Sequence, residues 1–83
     1  MTFRIFLSPK ASQLLKKLDK KDKERIEKKL RDLSENPELG KPLTANLTGL
    51  WSLRIGDYRA LYQLRHNELL IFVLRIGHRK NIY

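Results

Sequence analysis

The stretch from residue 51 to residue 65 constrains the fold more than any other part of the chain. Trp51-Ser52-Leu53-Arg54-Ile55 alternates, Gly56-Asp57 follows, and Tyr58-Arg59-Ala60-Leu61-Tyr62-Gln63-Leu64-Arg65 runs on in strand-forming residues. Alternation with period two marks a strand with one buried face. A two-residue link with glycine first is the signal of a type II′ hairpin. That turn sets a register of Ile55 opposite Tyr58, Arg54 opposite Arg59, Leu53 opposite Ala60, Ser52 opposite Leu61 and Trp51 opposite Tyr62. One face then carries Trp51, Leu53, Ile55, Tyr58, Ala60 and Tyr62, a surface for helices to cover; the other carries Ser52, Arg54, Arg59 and Leu61. A slip of one residue would exchange the faces, so the turn decides where both arginines point.

The remaining elements follow from spacing. Residues 3–7 form a strand with Phe3, Ile5 and Leu7 on one face. Ser8-Pro9 starts a helix over 9–18, serine capping it and proline sitting where its missing N–H costs nothing. Ala11, Leu14, Leu15 and Leu18 make its apolar stripe. Asp19 caps a second helix, whose stripe is Ile26, Leu30 and Leu33 and whose other faces carry the pairs Glu24–Lys28 and Glu27–Arg31. Asn36-Pro37 stops it. Residues 37–50 read as a connecting loop, and His66-Asn67 as a second turn. Glu68 to Ile76 is an apolar strand of the kind found in the middle of a sheet, ended by Gly77. A bulge in that strand would redirect Arg75 and Arg79. The expected fold is one α+β domain over residues 1–83: an N-terminal strand, an antiparallel helical hairpin, then a three-stranded antiparallel meander with the helices on one face.

Composition narrows the functions open to such a domain. Its 83 residues leave no room for a large enclosed cofactor pocket. With 18 Lys and Arg against 9 Asp and Glu, the net charge is +9, and the default partner is a polyanion. The absence of cysteine excludes a disulfide scaffold, a thiol nucleophile and a cysteine-rich zinc site, and two histidines do not make a usual structural zinc site. No metal and no cofactor is expected. No apolar run reaches the length of a membrane span, and the first residues lack the apolar segment and cleavage site of a secretory signal. The expectation is a soluble cytoplasmic protein without a membrane partner. The hydrophobic residues, 41% of the chain, fall in periodic segments, which speaks against disorder.

Two places carry candidate chemistry. Arg54 and Arg59, directly opposite on the hairpin, repel one another, and a fold gains nothing from that. A site that holds phosphate does gain, because each guanidinium presents a fork matched to phosphate oxygens. The plain alternative is two solvated arginines splayed apart. After the last strand, Gly77-His78-Arg79-Lys80-Asn81-Ile82-Tyr83 gathers an imidazole, a guanidinium, an ammonium and a phenol. The plain alternative there is a basic tail that binds any polyanion. Neither His78 nor Tyr83 means much by itself. There is no Gly-x-Ser-x-Gly setting, no phosphate-cradling glycine loop and no pair of carboxylates on the predicted sheet faces. The lysines between Lys16 and Lys29 are interleaved with Asp19, Asp22, Glu24 and Glu27, which describes a solvated helical face better than a nucleic-acid site.

In length, element order and three motifs, Leu-x-Gly-Leu-Trp at 47–51, Arg-x-Gly-Asp-Tyr-Arg at 54–59 and Gly-His-Arg-x-x-x-Tyr at 77–83, the chain resembles the RelE/ParE superfamily of toxins from toxin–antitoxin systems. The resemblance implies the fold derived above. It also implies one of two activities: RelE-like members cleave messenger RNA in the ribosomal A site, and ParE-like members poison DNA gyrase. The basic cluster and late tyrosine favour the first. Carried over by position, Arg54, Arg59, Arg79 and Tyr83 are the implied catalytic set, with His78 as a spare acid or base and Ser52, Lys80 and Arg65 as RNA contacts. Ser52 stands where the pattern can have lysine, and His78 where it can have another basic residue. With no helix expected after Tyr83, its carboxylate is expected to compete with phosphate for the arginines. The implied reaction is metal-free transesterification by the RNA's own 2′-hydroxyl, with Tyr83 as base or as a stacking surface. The implied partners are the ribosome, mRNA and a cognate RelB-like antitoxin. A gyrase inhibitor, a non-catalytic basic RNA- or ribosome-binding module, and an inactive toxin that only titrates its antitoxin stand as alternatives.

Overall fold

The hairpin forms in the register that its turn dictates. In the computed structural model, which describes residues 2–78, β3 (Leu50–Ile55) and β4 (Tyr58–Arg65) pair with Arg54 opposite Arg59 and Ile55 opposite Tyr58, and Gly56 turns the corner at φ +60°. A glycine takes that conformation without steric cost. Around the hairpin stand β1 (Arg4–Leu7), α1 (Pro9–Lys17), α2 (Lys20–Glu35), β2 (Lys41–Pro42) and β5 (Leu70–His78). The sheet order is β1-β5-β4-β3-β2, with β1 parallel to β5 and every other pair antiparallel.

The sheet thus has five strands, where the sequence predicts four. The added one is β2, inside the segment read as a loop. The last strand is also shifted. His66–Glu68 form a 3-10 turn and Leu69 a left-handed residue at φ +51°, so β5 starts at Leu70. It does not end at Gly77 but continues to His78, with Gly77 opposite Arg59 and His78 opposite Tyr58. Glycine lacks a side chain but keeps both ladder groups, so it does not break a strand whose partner is already in place. A bulge falls where Leu61 faces Arg75 while Tyr62 faces Val73, leaving Leu74 as the extra residue.

Each helix begins as its cap predicts. The Ala11 amide donates to Ser8 Oγ at 3.1 Å, and the Ser8 hydroxyl donates to the Leu74 carbonyl at 2.6 Å. One side chain therefore starts α1 and ties it to the bulge. Asp19 accepts from the Asp22 amide at 2.9 Å, and α2 ends at Asn36. Ala11, Leu15, Ile26, Leu30 and Leu33 from the helices close on Leu53, Ile55, Ala60, Tyr62, Ile71, Val73 and Ile76 of the sheet. Each Leu, Ile or Val side chain among them contributes about 1.5–3 kcal/mol by leaving water. The helices cover one face, and the other stays open. Leu61 is buried on that open side, outside the main core. No helix among the described residues is long and apolar enough to cross a membrane.

Candidate functional site

The open face near the hairpin turn gathers positive charge. Arg54 is exposed, and its Nε donates to the Gly56 carbonyl at a long 3.5 Å. Arg59 is partly buried between Arg54 on β3 and Gly77 on β5, so no side chain rises on its β5 flank. Ser52, two residues before Arg54, lies across from Leu61 on one side and Lys41 on the other. An open groove of about 440 Å³ runs past these residues, lined by Lys29, Leu39, Gly40, Lys41, Leu43, Ser52, Leu53, Arg54 and Arg59. Four of the nine are cations and none is a carboxylate.

The sequence reading missed two of those cations. Lys41 belongs to β2, and long-range contacts put it there. The Gly40 amide donates to Tyr62 Oη at 3.1 Å, and the Tyr62 hydroxyl donates to the Pro37 carbonyl at 3.0 Å. A Cβ on Gly40 would meet the Ser52 carbonyl oxygen at 2.5 Å and Tyr62 Oη at 2.6 Å, so only glycine lets this backbone lie so close. The Tyr62 ring is fully buried and stacks on Trp51, with centroids 6.1 Å apart. Burial holds its phenol above the ordinary 10.0; the Gly40 amide works against that shift and the nearby Glu38 carboxylate adds to it. Lys29 reaches the groove from α2, the one lysine of the Lys16–Lys29 stretch that lines it. Its charge neighbours in sequence gave no sign of this; only its position beside the core residue Leu30 did.

The predicted site residues separate into groups. Arg54, Arg59 and Ser52 come together. His78 does not join them: opposite Tyr58, it lies on the helix side of the sheet, its ring edge-on to the Tyr58 ring with centroids 6.1 Å apart. The Tyr58 phenol is raised above 10.0 by desolvation, then by the carboxylates of Asp22, Asp19 and Asp57. Arg65 stands at the far end of β4, opposite Leu70, with Glu68 at 3.6 Å and the Gln63 side-chain oxygen at 3.5 Å. Arg75, at the bulge, lies beside α1 with Lys10, Gln13, Leu14 and Lys17. Arg79, Lys80 and Tyr83 lie outside the described residues.

The family described as the ParE toxin of type II toxin–antitoxin systems, parDE, matches residues 5–83. Over 53 residues, 63% of this chain, the sequence is 43% identical to Toxin RelG of Mycobacterium tuberculosis; the match spans 61% of that protein's length. Among solved structures, the chain superposes with a TM-score of 0.86 and 30% identity on a chain of the toxin–antitoxin complex RelBE2 from Mycobacterium tuberculosis, covering 96% of this chain and 94% of that one. The archaeal RelE–RelB complex from Pyrococcus horikoshii OT3 gives a TM-score of 0.78 at 25% identity, over 98% and 99% of the two chains. The isolated E. coli RelE toxin gives 0.76 at 23% identity, over 94% and 84%, a likeness of fold.

Proposed function

The chain belongs to the RelE/ParE family of type II toxin–antitoxin toxins, and from that premise we propose that it is a ribosome-dependent endoribonuclease that cuts messenger RNA in the A site. The observation that carries this reading is the Arg54–Arg59 pair, two guanidinium groups held directly opposite each other and lining one groove with Lys41 and, from α2, Lys29. A phosphorane bound between them would turn their mutual repulsion into stabilisation.

In the proposed reaction the 2′-hydroxyl oxygen attacks the adjacent phosphorus in line. The P–O2′ bond forms and the P–O5′ bond breaks, leaving a 2′,3′-cyclic phosphate and a 5′-hydroxyl. The 2′-hydroxyl proton goes to a base and the leaving oxygen takes a proton from an acid. Arg54 and Arg59 hold the non-bridging oxygens as charge builds on them. Lys41 and Lys29 hold neighbouring phosphates and position the strand. Tyr83 and Arg79 are the proton-transfer candidates that the family pattern supplies. His78 is left out of this scheme, because it stands beside Tyr58 on the helix side of the sheet, away from the arginine pair.

The partner proposed for the resting state is a RelB-like antitoxin, in keeping with the complexes named for the relatives. The proposed workplace is the cytoplasm, where ribosomes and mRNA meet. The test is primer extension on ribosomes stalled with a known A-site codon, with wild type and Arg59→Ala side by side. A cut inside the codon that the variant fails to make is the expected result. A folded wild-type protein that makes no cut but blocks supercoiling by gyrase would overturn the reading in favour of the gyrase branch.

A further inference from the structure

We infer that the open face carries a second RNA element: Phe6 and Phe72, side by side on β1 and β5, form a platform on which unpaired bases stack. This rests on the nuclease reading only for the identity of the RNA, and the platform itself stands on different residues.

Phe6 lies directly opposite Phe72, and neither belongs to the core cluster. Phe6 is 51% exposed, although Ile5 and Leu7 on either side of it turn toward the core. The sheet continues this row through Gln63 on β4 to Leu50 on β3. The row beside it holds Arg4, Leu70 and Arg65. The Arg4 guanidinium sits 5.7 Å from the centre of the Phe6 ring. Arg65 shares its charge with Glu68 at 3.6 Å, in an exposed pair that solvent weakens. Aromatic rings on adjacent strands, interleaved with arginine, are how sheet surfaces hold single-stranded nucleic acid: the rings take the base faces and the cations follow the backbone.

The position favours a base over an apolar peptide side chain. Gln63 is four residues along β4 from Arg59, about 13 Å at strand spacing, so a strand held at the arginine pair passes the platform within a few nucleotides. A peptide anchor needs a pocket, and the chain has a better one on the other side of β1. That groove, about 490 Å³, is lined by Phe3, Ile5, Leu15 and Leu30 among others. The flat, cation-edged face suits π-stacking on a polyanion instead.

The experiment uses a short single-stranded oligoribonucleotide with a 2′-O-methyl sugar at each step, so that no free 2′-hydroxyl is present to cut it, and with 2-aminopurine in place of adenine. Binding to the free protein should quench the 2-aminopurine. Phe6→Ala, at an exposed position, and Phe72→Leu, which keeps the apolar volume, should each weaken binding roughly tenfold and reduce the quench. Phe6→Trp should retain both. The slope of affinity against salt should not change, because no phosphate contact is lost. Unchanged affinity and quench in both variants would overturn the platform. So would variants that bind RNA normally but lose their grip on the antitoxin, which would make the face a protein-docking surface. Stacking by a wild-type protein that never cuts A-site mRNA would uphold the platform and remove the nuclease reading, so the two failures are distinct.

Discussion

The Tyr62 hydroxyl accepts the Gly40 amide at 3.1 Å while donating to the Pro37 carbonyl at 3.0 Å. A fully buried phenol thereby fixes the backbone that carries Lys41 to the open face. Tyr62→Phe keeps the ring but leaves both backbone groups without this partner, at a cost of about 1–3 kcal/mol. For a domain of this size each kcal/mol lowers Tm by roughly 4–8 °C, which thermal melting monitored by circular dichroism will show. The pH dependence has a definite sign. The folded state holds the phenolic proton more tightly than the unfolded chain does, because burial raises the Tyr62 phenol above 10.0. That contribution is complete below pH of about 10 and is lost as pH rises through the folded value. The Tm gap between wild type and Tyr62→Phe should hold steady from neutral pH to about 10 and narrow above it.

Gly40→Ala attacks the same joint from the other side. Its Cβ would fall 2.5 Å from the Ser52 carbonyl oxygen and 2.6 Å from Tyr62 Oη, neither of which can move cheaply. The variant should melt well below wild type, and β2 amides should lose hydrogen-exchange protection before those of β4. Protection lost equally throughout the sheet would mean that Gly40 supports the whole fold rather than this edge.

Lys41 and Ser52 face each other across β2 and β3, so a charge on either residue serves the same part of the groove. Lys41→Ala should lower A-site cleavage roughly tenfold by removing one phosphate contact. Adding Ser52→Lys should restore most of it, because the ammonium returns from the neighbouring strand. Cleavage rates of the two variants under single-turnover conditions decide the matter; a double variant no better than Lys41→Ala would show that the two positions are not equivalent.

Arg59 and Arg54 should differ in how they fail. Arg59 sits inside the sheet between two strands, whereas Arg54 is exposed. Arg59→Ala should reduce cleavage on the order of 100–1000-fold, the loss typical of one transition-state donor. Arg59→Lys should recover only part, since a single ammonium replaces a planar fork. Arg54→Lys should be milder, and the ratio of the two lysine variants is the quantity to measure.

The hairpin, both helix caps and the arginine pair were all readable from sequence, because each is set by residues within a few positions of one another. Gly56-Asp57 alone set the register that opposes Arg54 to Arg59. What escaped reading was set at long range. Strand β2 is two residues long and contains a proline; its tie to Tyr62 comes from a residue 22 positions from Gly40. The place of His78 depended on β5 running through Gly77, and on the bulge at Leu61 and Tyr62. Lys29 belongs to a helix whose sequence is charged on several faces, and only packing tells which lysine turns toward the groove. The parallel pairing of β1 with β5, which sets Phe6 beside Phe72, has no local signal at all.

That pairing also sets when the molecule comes into being. Strand β5 lies inside the sheet, between β1 and β4, so residues 4–7 wait for residues 70–73. At about 5–20 residues per second, synthesis separates the two strands by roughly 3–13 seconds. During that interval the β3–β4 hairpin can close, but α1 has no finished surface to lie on, and the chain remains a set of local pieces. A translating ribosome therefore carries an unassembled poison until nearly all of the described chain has been made. Any helper that binds the nascent chain has those seconds in which to reach β1 before its place in the sheet is filled.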